Sequence, residues 1–158
     1  TALILGGEAP GTIGTLDGAN VEISENVGLD NIFIFGKTTP EVAAIRAAGY
    51  QPRALYLANP ELKAVLDAVQ SGVFSPAEPS RYQQISDTRV NWADRDPRLP
   101  DYSSYVAAQD RVDTLYRDPD AWTRKAILNV AGMGVFSSDR TIAQYAHEIW
   151  KSKPVVLG

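Results

Sequence analysis

Gly14-Thr15-Leu16-Asp17-Gly18-Ala19-Asn20-Val21-Glu22, followed closely by Asn31-Ile32-Phe33-Ile34-Phe35-Gly36, is the stretch from which the fold is read. Thr12 to Leu16 suits a short strand. Asp17 is a good N-cap for a helix through Val21, Glu22 and Ile23 to Val27, with Gly28 just past its end. Ile32 to Phe35 is β-branched and aromatic and is closed by Gly36, which predicts a second strand. Upstream, the apolar run Ala2-Leu3-Ile4-Leu5 ends at Gly6-Gly7 and reads as a buried strand, with Pro10-Gly11 marking a turn.

Beyond Gly36 the signals are helical. Thr39-Pro40-Glu41 supplies a cap, a proline at the first helical position and an acidic first turn. The helix is expected to carry Val42 and Ile45 inward and to stop at Gly49. Asn59-Pro60-Glu61 repeats the start signal. Leu62, Val65, Leu66 and Val69 then follow the spacing of an amphipathic helix that ends at Gly72. Val73 to Pro79 reads as a loop, and Ser80 as the cap of a shorter helix to about Thr88. Ala93 to Pro100, rich in charge and proline, reads as an exposed loop. Asp101 is expected to cap a longer helix with Tyr102, Tyr105, Val106, Val112 and Leu115 on one side. Asp118-Pro119-Asp120 starts a helix carrying Trp122, Ala126, Ile127 and Val130, which Gly132 and Gly134 break. Ser138 is expected to cap a last helix with Ile142, Tyr145, Ala146, Ile149 and Trp150 on one face, stopped by Pro154. Strands alternate with helices only in the first third. That is too little parallel sheet for a complete doubly wound domain, and it matches the tail of one.

The chain has 158 residues, 44% hydrophobic and 22% charged, which suits one globular segment with a real core. A net charge of −4 with scattered basic residues argues against a nucleic-acid footprint. With no cysteine, disulfides and thiolate metal sites are excluded. No apolar run approaches the ~18 residues of a membrane helix. No signal peptide is read at the start, so a cytoplasmic protein is expected. The first residue is Thr1 rather than Met, so a truncated or excised piece is expected.

Candidate chemistry is sparse. Gly6 to Thr12 has the outline of a phosphate loop but lacks its lysine, so a nucleotide site is rejected. The segment Gly14 to Glu22 offers a helix N-terminus to an anion. Asp17 would fill that position itself, so Gly14 and Gly18 are expected to serve tight strand–helix packing. His147, the only histidine, falls on the polar side of the last helix with no reactive serine placed beside it. Ser137-Ser138-Asp139-Arg140-Thr141 reads as a helix cap, with Arg140 expected to pair with a carboxylate elsewhere in a larger parent fold. Trp122 and Trp150 lie on apolar faces and are expected to be core, whereas Trp92 is left open between core and sugar stacking. Glu22 and Glu25 have adjacent-turn spacing only, and no acidic or histidine cluster has metal-ligand spacing. No catalytic, cofactor-binding or metal-ligating residue is assigned.

Gly134-Val135-Phe136-Ser137-Ser138-Asp139-Arg140-Thr141-Ile142, with Tyr145 and Ile149-Trp150, is a third motif. In this order the three motifs resemble the C-terminal end of the α-glucan phosphorylases (glycogen, starch and maltodextrin), the bacterial glycogen phosphorylases above all. The resemblance runs from about Thr12 to Trp150, and residues 1–11 do not share it. It implies an α/β fold, the helix-rich end of the C-terminal Rossmann-like domain of a GT-B type enzyme, with residues 1–158 one segment of it. It also implies a parent that cuts terminal α-1,4 bonds of a glucan with phosphate, giving glucose 1-phosphate with the help of pyridoxal phosphate. That family ties its cofactor to a lysine in a Gly-Thr-Gly-Asn-Met-Lys motif, and the corresponding position here is Ile4. The segment alone is therefore expected to be inactive and to hold no cofactor, its partner being the remainder of the phosphorylase chain or another copy of itself. The competing reading is a non-catalytic interaction or assembly domain that stands alone. A carbohydrate-binding module using exposed aromatics is a third.

Overall fold

The computed structural model describes residues 12–90 and 97–153. In chain order its elements are β1 (Ile13–Thr15), α1 (Ala19–Val27), β2 (Phe33–Phe35), α2 (Thr39–Ala47), α3 (Pro52–Ala58), α4 (Pro60–Gln70), α5 (Gln83–Val90), α6 (Tyr102–Tyr116), α7 (Pro119–Gly132) and α8 (Ser138–Gln144). Short 3-10 turns occupy Leu29–Asn31, Leu99–Asp101 and Met133–Phe136, and α8 continues as a π-helical turn, Tyr145–Ile149. β1 and β2 form a two-stranded parallel sheet. A parallel pair needs a crossover, and α1 supplies it. The helix-rich α/β character expected from the sequence is thus present. The predicted strand Ala2–Leu5, the rejected phosphate-loop outline, Trp92 and Pro154 lie wholly or mostly outside the described residues.

The chain divides into two compact units. One comprises Thr1–Ile13, Gly18–Phe33 and Val112–Gly158, the other Gly14–Asp17 and Ile34–Arg111. In the first, α1 turns Ile23 and Val27 inward, and Ile32 and Phe33 are buried as well. α7 approaches α1 so closely at Gly132 that a Cβ there would lie 2.8 Å from Val27 Cγ1 and 2.9 Å from the Asn26 carbonyl oxygen. The inward face of α7 differs from the expected one. Ile127 and Val130 are exposed, and the buried residue is Asn129, whose amide donates to the carbonyls of Asn31 and Lys125, each at 2.9 Å. Trp122, Ala126 and Asn129 share one helical stripe, and pointing Asn129 at the Asn31 carbonyl turns Ile127 and Val130 away. Trp122 is half-buried and meets the Tyr116 ring edge-on at 5.0 Å. The N-cap of α7 is as read: the Asp118 carboxylate accepts from the Ala121 N–H at 3.0 Å.

In the second unit, Leu62 and Leu66 of α4 pack with Val90 and Leu99, and Tyr56 and Tyr102 lie against them. Asn59 caps α4 as predicted, its side chain accepting from the N–H groups of Glu61 and Leu62. Val65 belongs to the predicted stripe but is 45% exposed. The cap of α2 is Thr38 rather than Thr39, because Glu41 stands three residues after Thr38 and closes a capping box with it. Helix α3 was not anticipated. α5 starts at Gln83, later than the expected cap at Ser80. The predicted exposed loop also needs correction at its end, since Leu99 is buried and completes the cluster. Between α3 and α4 the Lys63 ammonium bonds Asp67, and the Tyr56 hydroxyl donates to the same carboxylate at 2.5 Å. The bond from Lys63, then that from Tyr56, holds the Asp67 carboxyl below its usual range, and the reciprocal bond from Asp67 raises Lys63.

Leu62→Ala is expected to cost about 2–5 kcal/mol of stability, and Val65→Ala well under half of that, because only the first leaves a cavity. Urea denaturation of both variants checks this, and equal losses would contradict the core assignment. Because its pKa is lowered by folding, Asp67 stabilises the chain above the ordinary carboxylate value of 3.8 and stops doing so as pH falls through the lowered value. Lys63 stabilises below its ordinary 10.5 and stops as pH rises through its raised value. Both side chains are 43% exposed, so the effect is small. Asp67→Asn is expected to flatten the acid limb of a stability-versus-pH curve while leaving the neutral region level.

Candidate functional site at the carboxyl ends of the strands

In open α/β sheets, ligands approach the carboxyl ends of the strands. Here those ends are Thr15 and Phe35. After Thr15 the chain turns at once. The Asp17 N–H donates to the Thr15 carbonyl at 2.9 Å, and the Thr15 hydroxyl donates to Asp17 Oδ1 at 3.0 Å. Asp17 therefore does not cap α1, as the sequence had suggested. The N-cap is Gly18, with no side-chain bond, at φ 49 and ψ −134. Nothing lies within 4 Å of where its Cβ would be. Glycine at 18 is thus required for backbone conformation, not for the close strand–helix packing expected of it.

The end of β2 is bound by one face of α6 and the turn before it. The Lys37 N–H donates to Asp101 Oδ1 at 2.8 Å, and the Gly36 N–H donates to Ser104 Oγ at 3.0 Å. The Ser104 hydroxyl in turn donates to the Asp101 carbonyl at 2.8 Å. The Arg111 guanidinium donates to the Ile34 carbonyl at 2.9 Å, and the Tyr105 ring meets Phe35 edge-on at 5.2 Å. Asp101, Ser104, Tyr105, Ala108 and Arg111 follow i, i+3, i+4, i+7, i+10 spacing, and Ala108 on this face is fully buried. The expected cap role of Asp101 is corrected by its bond to Lys37, whereas the expected apolar side of α6 is present, with Tyr102, Val106, Val112 and Leu115 half-buried and Tyr105 against Phe35. Gly36 sits at φ 80, and a Cβ there would lie 2.9 Å from Thr15 Cγ2 and 3.0 Å from the Asp101 carboxyl.

Glu22, Glu25 and His147 are exposed. The N-cap of α8 is Ser137 rather than Ser138, without a side-chain bond. Within the described residues Arg140 bonds its own helix and the turn before it. It donates to the Val135 carbonyl at 2.6 Å and to Gln144 Oε1 at 2.8 Å. Trp150, expected in the core, is 60% exposed and tilted against Tyr145. A hollow of about 330 Å3 is lined, among the described residues, by Ser80, Gln83, Gln84, Asp87 and Thr88, none of them a cation. Among the described residues no acidic, histidine or cysteine group is arranged to hold a metal, and no helix is long and apolar enough to cross a membrane.

The fold and its motifs define a class. The sequence profile described as carbohydrate phosphorylase matches residues 5–152. The chain belongs to that family. It is 51% identical over 148 residues to a glycogen phosphorylase of Synechocystis, a match covering 92% of this chain and 17% of that protein. It is 47% identical over 146 residues to the brain form of glycogen phosphorylase of Bos taurus, again 92% of this chain and 17% of the relative. For a glycogen phosphorylase of Haemophilus influenzae the identity is 48% over 147 residues, covering 93% and 18%. The chain thus spans about a sixth of the length of these relatives.

None of the described lysines is buried. Lys63 is held by Asp67, and the Lys125 ammonium donates to the Asp30 carbonyl. Lys37 lies 3.9 Å from Glu41, and Lys151 and Lys153 are exposed. The position corresponding to the family's lysine, Ile4, is outside the described residues.

Proposed function

We propose that this chain is the C-terminal segment of an α-glucan phosphorylase of glycogen or starch type, within the Rossmann-like C-terminal domain of a GT-B type enzyme. The whole enzyme removes the terminal α-1,4-linked glucose by phosphorolysis and releases glucose 1-phosphate. The observation that carries this reading is the 46–51% identity to glycogen phosphorylases over about 92% of the chain. In this reading the segment is scaffold. Pyridoxal phosphate, which supplies acid/base chemistry through its phosphate, is tied to a lysine contributed by other sequence, and the sugar and phosphate contacts come from there as well. This chain's part is to hold the strand ends and the turn after β1 in place. A cytoplasmic location accompanies the proposal, consistent with the absence of cysteine.

The surface supports incorporation into something larger. Ile142, Ile149 and Trp150 are each about 60% exposed, and Tyr145 is 44% exposed. Burying one such side chain is worth about 1.5–3 kcal/mol, so covering the stripe is a large fraction of a marginal stability. The remainder of the phosphorylase polypeptide is the proposed cover.

The test is a chimera in which the equivalent segment of the Synechocystis glycogen phosphorylase is replaced by residues 12–153 of this chain. Glucose 1-phosphate release from glycogen and phosphate is expected within about tenfold of the parent enzyme, and none is expected from the isolated chain. The isolated chain is also expected to bind a hydrophobic dye that the chimera does not. A soluble, folded chimera without activity would overturn the reading.

A further inference from the structure

We propose that Asp101, Ser104 and Arg111 are positioning residues that set the place of the Gly14–Asp17 turn through the end of β2. The inference rests on the phosphorylase reading and goes beyond it, because it assigns a role to three residues of this chain.

Three backbone groups of β2 and its exit, the Ile34 carbonyl and the N–H groups of Gly36 and Lys37, are each met by a side chain from α6 or the turn before it. These bonds fix β2 lengthwise, because two lie past its carboxyl end and one lies within it. Gly36 transmits the constraint. It is squeezed between Asp101 on one side and Thr15 on the other, with no room for a methyl group. Seating Asp101 on the Lys37 N–H therefore fixes the exit of β2 beside Thr15. Thr15 is in turn joined to Asp17 by its hydroxyl and by its carbonyl. The chain of contacts runs from α6 through Gly36 to Thr15 and ends in the Gly14–Asp17 turn. That turn stands at the carboxyl end of β1, where an α/β sheet meets its ligand.

The part Asp101 plays is that of a hydrogen-bond acceptor. Asparagine offers the same acceptor oxygen, so the two roles of charge and acceptance separate cleanly. Small misplacements of groups near reacting atoms lower turnover steeply, by up to about 100-fold per ångström.

The experiment uses the full-length active enzyme carrying this segment, so that an inactive parent would count against the phosphorylase reading and not against this inference. Asp101→Ala is expected to lower kcat roughly tenfold, well below its melting temperature, with KM for glucan changed by less than about threefold. Hydrogen exchange at the Gly36 and Lys37 amides is expected to quicken. Asp101→Asn is expected to keep kcat within about threefold of the parent and to leave that exchange slow. A merely structural role would lower the melting temperature and leave kcat per folded molecule unchanged. A folded Asp101→Ala enzyme with kcat within about twofold of the parent overturns the inference, as does an Asn variant as damaged as the Ala variant. Should Asp101→Ala fail to fold, Ser104→Ala and Ser104→Thr decide. The threonine retains the hydroxyl and is expected to turn over faster than the alanine, and equal values overturn the inference.

Discussion

A three-residue strand leaves backbone N–H and C=O groups around it outside the sheet, and side chains that bond them fix the position of the strand. This constraint shapes the second unit. Ile34, Gly36 and Lys37 take their partners from Arg111, Ser104 and Asp101. Once those three side chains are aimed at β2, the rotation of α6 is set. Ala108 becomes the point of closest burial, and Tyr105 reaches Phe35. The apolar residues of the expected stripe, Tyr102, Val106, Val112 and Leu115, are half-buried in the same register. Only glycine suits position 36, since the backbone is at positive φ and both flanks are occupied.

The first unit answers to the same demand. The carbonyls of Asp30 and Asn31 lie in or at the 3-10 turn before β2, and Lys125 and Asn129 of α7 donate to them. Four residues separate the two donors, so both sit on one side of α7. Polar satisfaction outweighs apolar area here, and Ile127 and Val130 remain in water. Each loses about 1.5–3 kcal/mol of potential burial, comparable with the cost of leaving a carbonyl unmet. In a chain that ended its packing at its own surface, that balance would be poor. It becomes reasonable where other sequence lies over α7.

What the sequence disclosed follows the range of each interaction. β2, the Asn59 and Asp118 caps and the glycines past helix ends were legible because a few adjacent residues decide them. The family was legible because its motifs are compact and ordered. Several of the misreadings share a cause, which is a partner far away in sequence. Asp101 looked like a cap by local rule, but Lys37, 64 positions away, takes it, whereas Asp17 is taken by Thr15 only two residues before it. Leu99 sits in a charged, proline-rich stretch, and only the distant Leu62, Leu66 and Val90 reveal it as core. The candidate site was hidden for the same reason. Asp101, Ser104 and Arg111 are ordinary polar residues until β2 is laid beside them. The one local signal was their regular spacing with a small residue, Ala108, between them.

The small core carries the argument one step further. Among the described residues, nine apolar side chains are buried, and they fall into separate groups in the two units. Exposed large hydrophobics outnumber them, from Leu16 and Val21 to Ile149 and Trp150. A domain of roughly 150 residues normally buries about 68–70% of its unfolded surface around a shared core. Isolated polar contacts, each worth only about 0.5–1.5 kcal/mol net, do not substitute for that core. They serve instead to fix register: α6 against β2, and α7 against the turn before it. In the proposed reading, the rest of the stability comes from apolar surface that these contacts hold ready for other sequence to cover. That division of labour is the one expected of a segment whose relatives are about six times as long.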